Sequence, residues 1–378
     1  MTLFETISGF LWGNIIVFIL VISLLVFVHE MGHYVVGRWC GIRIQAFSVG
    51  FGPELLGWTD RHGTRWKLSA IPLGGYVKFL GDANASSEPD FQSLASMTEE
   101  DRRATFPGAA LWKRALTVAA GPLANFLLAI LIFSATFYVY GRSITDPVVG
   151  EVKAESAAAV AGILPGDRLV AIDGIEVETF DDVRRYVSIR PGTTIIVTVE
   201  RDGQMLPLTM VPKRTEIEDQ FGNKLEAGII GVVTTKDVAN FRIKTYSLGQ
   251  SVQQAVFECW YIVKSTYDYI ANVFAGQMSA DQFGGPVRVS QVTGQVATLG
   301  VWAVFQLAAA LSVSIGLINL LPVPVLDGGH LVFYAIEAIR RRPLSPKAQE
   351  VAFRIGFALI MTLMVFVTWN DTVGRLLG

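Results

Sequence analysis

Residues 10–36 read FLWGNIIVFILVISLLVFVHEMGHYVV, an apolar run that ends in two histidines and a glutamate. A helix needs about 20 apolar residues to cross the roughly 30 Å hydrocarbon core of a bilayer, and this run is long enough. Ionisable side chains in such a segment cost about 2.5 to 3.5 kcal/mol each on insertion scales and persist mainly for function. The run therefore predicts a membrane helix with a functional site. A cleaved signal peptide is the alternative, but no Lys or Arg precedes the run and no A-x-A site follows it.

The composition indicates a membrane protein with several spans. Apolar residues make up 51% of the chain and charged residues only 17%, below the about one quarter usual in soluble domains. Three more stretches are long and apolar enough to cross a bilayer, namely 115–140, 301–321 and 352–369. We therefore predict a polytopic α-helical membrane protein with four transmembrane helices. The net charge of −2 gives no basic field for nucleic acid, and two cysteines are too few for a disulfide framework.

Basic residues near the ends of the spans predict the orientation of the chain. They concentrate between the first and second spans and between the third and fourth, and such loops usually stay in the cytoplasm. Both termini and residues 141–300 would then lie on the other side, which is the periplasm for a bacterial inner membrane. The basic residues are Arg38, Arg43, Arg102, Arg103, Lys113 and Arg114 in the first loop, and Arg340, Arg341, Arg342 and Lys347 in the second.

The spans and the segments between them divide the chain into four predicted regions. Region 1–140 holds the first two spans, and its glycine-interrupted, alternating residues 42–79 predict a membrane-associated β-hairpin. The polar residues 81–107 predict a solvated loop. The run AGILPGDRLVAIDG at 161–174 resembles the sequence signature of a PDZ domain, which would cover residues 145–214. The elements predicted around this run are strands at 148–152, 194–201 and 206–212 and a helix near 181–188. Region 215–300 predicts a linker and amphipathic helices, the clearest at 247–275, and region 301–378 holds the last two spans.

Two motifs predict a metal site. His29 and His33 are four residues apart and so share one helix face, where both can bind one metal ion while Glu30 serves as general base. Zinc in a catalytic site needs a third protein ligand and an open position for water. The best candidate is Asp327, the only carboxylate between residues 301 and 334, in the run NLLPVPVLDGGH at 319–330. Its prolines should break the helix, which is tolerated at membrane depth only beside protein or a water-filled cavity.

The residues of these motifs and their polar or small neighbours also have purely structural interpretations. His29 and His33 could merely hydrogen-bond to neighbouring helices. His330 is best interpreted as structural or as a support to the ligands, and His62 as solvated. In the run GPLANF at 121–126, the small and polar residues Gly121, Pro122 and Asn125 could line a cavity, but packing between helices is the commoner role.

Together these motifs resemble the site-2 protease family of intramembrane zinc metalloproteases, closest to the bacterial members that regulate sigma-E. The resemblance implies that His29, His33 and Asp327 bind Zn²⁺ and that Glu30 activates water. It also implies substrate-binding roles for Asn319, Pro322, Pro324, Gly74 and Gly75. An interhelical hydrogen bond remains the alternative for Asn319, and an ordinary hairpin the alternative for the two glycines. The best-known member carries two tandem PDZ domains, whereas this chain has one recognisable copy.

The implied activity is regulated intramembrane proteolysis of single-pass membrane proteins in the lipid bilayer, such as anti-sigma factors or remnant signal peptides. Two functions from other classes compete with it. A membrane scaffold that binds partners through the PDZ domain would have no need of Glu30. A zinc transporter would leave both Glu30 and the PDZ domain without a role. The sequence therefore favours the protease.

Overall fold

A computed structural model describes residues 3–82, 94, 96–218, 224–234, 241–280 and 284–374. The chain divides into two compact units, one made of residues 1–133 and 284–378 and the other of residues 134–283. The elements of the first unit, in chain order, are α1 (Leu3–Trp39), β1 (Ile44–Thr59), β2 (Arg65–Phe79), α2 (Glu99–Arg103) and most of α3 (Leu111–Tyr140).

In the described part of the second unit, strands β3 to β12 and helices α4 to α6 follow the end of α3. Its elements are β3 (Arg142–Thr145), β4 (Val149–Val152), α4 (Ala157–Ala161), β5 (Arg168–Ile172), β6 (Ile175–Glu176), α5 (Phe180–Ser188), β7 (Ile195–Arg201), β8 (Gln204–Met210), β9 (Lys213–Glu218), β10 (Lys224–Ile229), β11 (Val232–Thr234), β12 (Phe241–Lys244) and α6 (Leu248–Phe274). The chain then returns to the first unit with α7 (Pro286–Ala297), α8 (Val301–Asn319), α9 (Asp327–Arg340) and α10 (Pro346–Trp369).

In the part of the chain that the structure describes, four helices are long and apolar enough to cross a membrane, in agreement with the predicted number of spans. They cover Ile15–Trp39, Leu111–Tyr140, Val301–Asn319 and Pro346–Thr372. Three of them approach closely through small residues. A Cβ atom at Gly32 would lie 2.3 Å from the carbonyl oxygen of Ala120, and one at Gly316 would lie 3.1 Å from that of Pro122. Such close backbone approach is how membrane helices gain packing energy where no hydrophobic effect drives them together.

The predicted hairpin is present, but its two long strands fold back on each other. Residues 46–49 lie opposite 65–68 on one side and opposite 75–78 on the other, whereas 56–59 pair only with 65–68. The result is a narrow sheet with segment 75–79 at one edge. The polar segment 81–107 is less solvated than predicted, because Thr105 and Phe106 are buried. Residues 83–93 lie outside the described residues.

The predicted helix break before Asp327 is confirmed. Helix α8 ends at Asn319 and α9 starts at Asp327, with seven non-helical residues between them. Pro322 and Pro324 cannot donate the helical hydrogen bonds that would continue α8. Val325 has a φ of 107°, an unusual value for a β-branched residue. The break therefore places the Asp327 carboxylate in the first turn of a new helix.

The second unit has its own hydrophobic core beneath a four-stranded sheet of order β6-β5-β7-β8. Four of its predicted elements are present. The strands predicted near 148–152, 194–201 and 206–212 correspond to β4, β7 and β8. The helix predicted near 181–188 corresponds to α5. The predicted amphipathic helix agrees with α6, which Ser247 caps by accepting the main-chain N–H of Gln250. Four further strands lie in the region predicted as linker and helices, and β11 pairs with β4 and β12 with β3. This unit therefore extends beyond residue 214.

Candidate metal centre

Three side chains from distant parts of the sequence converge inside the first unit. His29 and His33 come from consecutive turns of α1, and Asp327 from the start of α9. The His29 Nε2 atom lies 3.1 Å from His33 Nε2 and 3.1 Å from Asp327 Oδ2, and His33 Nε2 lies 3.5 Å from Asp327 Oδ2. Both histidines are 8% exposed, so water does not screen the group. His29, His33 and Asp327 are the group of possible metal ligands found among the described residues.

The spacing of these atoms fits a tetrahedral zinc ion. Zn–N and Zn–O bonds of about 2.0 to 2.2 Å place adjacent ligand atoms of a tetrahedron about 3.4 Å apart. The Asp327 Oδ2 atom is also buried without a hydrogen-bond donor among the described residues, although two imidazole nitrogens face it. Buried polar atoms that lack a partner usually mark a missing water or ion. The three residues therefore fit zinc in both geometry and chemistry.

A main-chain carbonyl fixes the orientation and tautomer of His33. Its Nδ1 atom lies 2.9 Å from the carbonyl oxygen of Thr117, at the start of α3. A carbonyl oxygen only accepts, so Nδ1 must carry the proton and donate it. The lone pair of Nε2 is then free to face Asp327. Most zinc-binding histidines are held by such a bond from the other ring nitrogen.

Asn125 plays the corresponding part for His29. The side chain of Asn125 is fully buried. The amide atom placed as nitrogen lies 3.3 Å from His29 Nδ1, and the atom placed as Oδ1 has no hydrogen-bond partner among the described residues. Amide oxygen and nitrogen are assigned from the hydrogen-bond network. Exchanging them lets Oδ1 accept the Nδ1–H of His29 and leaves Nε2 free for metal. The Ser312 hydroxyl on α8 also donates a hydrogen bond to the main-chain carbonyl oxygen of Asn125 at 2.9 Å, which fixes this part of α3.

Substituting Asn125 tests this assignment. Asn125→Leu is expected to weaken zinc binding by about 10- to 100-fold, since it removes a hydrogen bond that orients a ligand. Asn125→Asp keeps an acceptor and is expected to retain the affinity. The measurement is the zinc dissociation constant by competition with a chromogenic chelator. If Asn125 instead donated to His29, the aspartate variant would lose affinity like the leucine variant.

Gly121 leaves the space that the histidines occupy. A Cβ atom there would lie 2.3 Å from His33 Nε2 and 2.9 Å from His29 Nε2, closer than real Cβ contacts. The interpretation of Gly121 and Asn125 as packing residues therefore missed their contact with the histidines. The run GPLANF carries no signal for it, because the contact depends on how α3 packs against α1.

Glu30 lies beside the three converging residues in a cavity of about 170 Å³. The main-chain N–H of Val77, in the edge segment of the hairpin, donates a hydrogen bond to its carboxylate. A Cβ atom at Gly75 would lie 3.3 Å from Glu30 Cγ. The cavity walls include Gly75, Tyr76, Val77, Phe79, Asn319 and His330. A carboxylate, the candidate ligands and an edge strand thus line one cavity.

The other candidate residues take different positions. Asn319 lines the cavity and donates through Nδ2 to the carbonyl of Ile315, 3.0 Å away in its own helix, rather than to another helix. Of the two hairpin glycines, Gly75 lines the cavity, whereas Gly74 with φ 118° faces Phe51. Pro322 and Pro324 lie outside its described walls and act through the helix break. His330 lines the cavity, and His62 is exposed in the hairpin turn.

Asp60 ties the hairpin turn to α1. Its carboxylate accepts from Tyr34 Oη at 3.2 Å, from Trp66 Nε1 at 3.1 Å, and from the main-chain N–H groups of His62 and Thr64 at 2.8 and 3.0 Å. Burial alone would raise the pKa of Asp60, but these hydrogen bonds stabilise the carboxylate and lower its pKa to about 2. Tyr34 directly follows His33, so the bond fixes the hairpin relative to the histidines.

Comparisons with known proteins agree with this site. Residues 17–363 match the model of peptidase family M50. A protein of Agrobacterium fabrum, provisionally named a zinc metalloprotease, is 67% identical over 371 residues, which cover 98% of each chain. A Rhizobium meliloti protein with a similar provisional name is 61% identical, over 94% of this chain and 95% of its own length. Metalloprotease MmpA of Caulobacter vibrioides is 40% identical over 93% of each chain.

Proposed function

The chain belongs to peptidase family M50, the site-2 proteases, and is a membrane-embedded zinc metalloprotease, and from this premise we propose that it cuts single-pass membrane proteins inside the bilayer. The proposed role is regulated intramembrane proteolysis, with anti-sigma factors or remnant signal peptides as substrates. The proposed location is the bacterial inner membrane, with both termini and residues 141–300 in the periplasm. The basic residues between α9 and α10 support this orientation.

One observation carries the proposal, namely the position of the site along the first span. His29 lies ten residues before the end of α1 at Trp39, which corresponds to about 15 Å along the helix. If Trp39 lies at the surface of the hydrocarbon core, which is roughly 30 Å thick, His29 lies well inside the bilayer. A hydrolytic centre there meets substrates that are themselves membrane segments.

We assign zinc binding to His29, His33 and Asp327 and the general base to Glu30. Zinc, when bound, lowers the pKa of a coordinated water toward about 7 and polarises the scissile carbonyl. Glu30 accepts a proton from the attacking water at a carboxylate oxygen and then donates it to the leaving amine nitrogen. Asn319 has a second amide N–H beyond the one bound to Ile315, and it is assigned to hold the substrate at the cavity wall.

The edge of the hairpin is the proposed holder of the substrate. A substrate helix hides its carbonyl groups in internal hydrogen bonds, so it must unwind before it can be cut. Segment 75–79 pairs with 44–49 on one side, and its other side faces the cavity near Glu30. Adding the unwound substrate as a further strand would satisfy its backbone groups without demanding a particular sequence. Residues 145–214 are assigned as a PDZ domain that admits substrates already trimmed in the periplasm.

Proline at the edge tests this role. Gly75→Pro is expected to lower photocrosslinking of a substrate to the cavity at least tenfold in a Glu30→Gln background, because proline removes an edge N–H and its ring enters the strand position. Leu55→Pro is the matched control. Leu55 lies on the opposite edge of the same hairpin and is 63% exposed, so it should leave crosslinking unchanged. Normal crosslinking of the Gly75 variant would remove the edge from the mechanism.

The proposed function is tested with purified protein in nanodiscs and a single-pass substrate, supplied both whole and with its periplasmic part removed. The trimmed substrate is expected to be cut within its span, as located by mass spectrometry, and a chelator should stop the reaction until zinc is restored. Cleavage confined to water-exposed loops would contradict an intramembrane site. If the protein binds zinc and captures the substrate but does not cut it, the result would favour the membrane scaffold instead.

A further inference from the structure

A second and larger cavity lies in the first unit beside the catalytic one. It has a volume of about 680 Å³ and is bounded by residues 102–114, α9 and the start of α10. Aromatic and aliphatic side chains form most of its walls, including Phe106, Phe333, Tyr334, Leu344 and Phe353. A concave site of about 300 to 1,000 Å³ with mostly apolar walls and a few polar groups is typical of small-molecule binding. The catalytic mechanism makes no use of this space.

The wall formed by α9 carries a carboxylate at the end away from the metal centre. His330, Phe333 and Glu337 are spaced by three and four residues, so they lie on one face of the helix. Helix α9 runs from Asp327 in the metal centre towards Arg340. His330 therefore lies near the metal centre, and Glu337 lies about 10 Å farther along the axis, near the basic end.

The wall formed by α10 also carries a polar side chain and an aromatic ring on one helix face. Pro346, Gln349 and Phe353 also share one helix face, and α10 starts at Pro346 and continues into the fourth span. Phe353 lies about 10 Å deeper than Pro346. On both walls a polar side chain, Glu337 or Gln349, lies nearer the basic end than the aromatic ring of Phe333 or Phe353. The cavity thus matches an amphiphile that lies along the spans.

The polar end of the cavity carries positive charge. Arg114 and Glu337 neutralise each other through two bonds of 2.6 and 3.2 Å, and the Arg114 guanidinium also lies 5.0 Å from the Tyr334 ring centre. Arg102 lines the same end and is exposed, and no ion pair involves it in the part of the chain that the structure describes. The cavity therefore offers a cation that has no counter-ion among the described residues.

We propose that this cavity binds an anionic phospholipid from the leaflet at the basic end of the spans. One acyl chain would lie between α9 and α10 and end near Phe333 and Phe353, and the phosphate would lie at Arg102. A lipid fits better than a soluble anion, because most of the walls are apolar and one of them, α10, is the start of the fourth span. Basic pockets between membrane helices are known sites for anionic headgroups.

Lipid retention measured by native mass spectrometry tests the site without any use of proteolysis. The purified protein, loaded with zinc, is exposed to equal amounts of phosphatidylglycerol and phosphatidylcholine. Phosphatidylglycerol is expected to remain bound in a one-to-one complex. Leu344→Trp narrows the cavity from its polar end and should abolish retention of that molecule, and unchanged zinc content reports that the first unit is intact.

The headgroup contact has a matched control in the neighbouring residue. Arg102→Glu should weaken phosphatidylglycerol binding by about fivefold or more, since each basic residue contributes about 1 kcal/mol to anionic lipid binding. Arg103 is paired with Glu99 at 3.4 Å and does not line the cavity, so Arg103→Glu should behave like the unmodified protein. Equal losses in both variants, or full retention by Leu344→Trp, would overturn the proposal. The arginine pair decides the question even if the tryptophan variant does not fold.

Discussion

Replacing Glu30 with glutamine is expected to lower substrate cleavage by about 10²- to 10⁴-fold and to leave bound zinc unchanged. The Glu30 side chain lines the catalytic cavity, but it is not among the three groups whose ligand atoms converge. Glutamine has the same shape, and its amide cannot take a proton from water. The substitution therefore removes proton transfer while the metal ligands stay in place.

Zinc content and cleavage rate must be measured on the same preparations. Glu54→Gln provides a control with the same chemical change, because Glu54 lies in β1 and pairs with Arg65 rather than facing the metal centre. It should cleave within about twofold of the unmodified protein, as expected for a surface ion pair. A Glu30→Gln protein that binds zinc and cuts normally would assign the proton transfer to another group. Loss of zinc in this variant would mean that Glu30 holds the site together.

The metal centre was predictable from sequence because its chemistry conflicts with its surroundings. Histidines and a glutamate at the end of an apolar run, and one aspartate after two prolines, are costly in a membrane unless they have a partner. This conflict alone predicts one candidate site made of His29, Glu30, His33 and Asp327, and the structure brings their side chains into one cavity. Assigning zinc binding to these residues remains a proposal, and the variants above test it.

Residues that act through packing were not predictable in this way. Gly121 and Asn125 look like ordinary packing residues, because small and polar residues in membrane helices commonly serve close approach. Their roles depend on which turn of α3 faces His29 and His33, and no local pattern encodes that register. The same limit applies to the region 215–300. The partner of β11 is β4, about 80 residues earlier, and such a long-range pairing leaves little local signal.

Gly121→Ala is expected to abolish high-affinity zinc binding, with the dissociation constant rising at least about 100-fold and cleavage falling in parallel. The added methyl group would lie 2.3 Å from His33 Nε2 and 2.9 Å from His29 Nε2, so the rings or the helix must shift from the positions in which both rings face Asp327. A ligand displaced by even a fraction of an ångström no longer meets the narrow range of zinc bond lengths. The loss should therefore exceed that from removing a single supporting hydrogen bond.

Gly316→Ala is the matched control, because it adds the same methyl group where α8 packs against α3. Its nearest contacts, at 3.1 Å, are a Phe126 ring carbon and the carbonyl oxygen of Pro122, and neither histidine is among the atoms nearest to it. This variant should bind zinc normally, with at most a modest loss of thermal stability. If the Gly121 variant unfolds at the same temperature as the chelated unmodified protein, its defect lies in metal binding rather than folding. Wild-type zinc affinity in Gly121→Ala would show that the site has room for a side chain there, contrary to the geometry of α1 and α3.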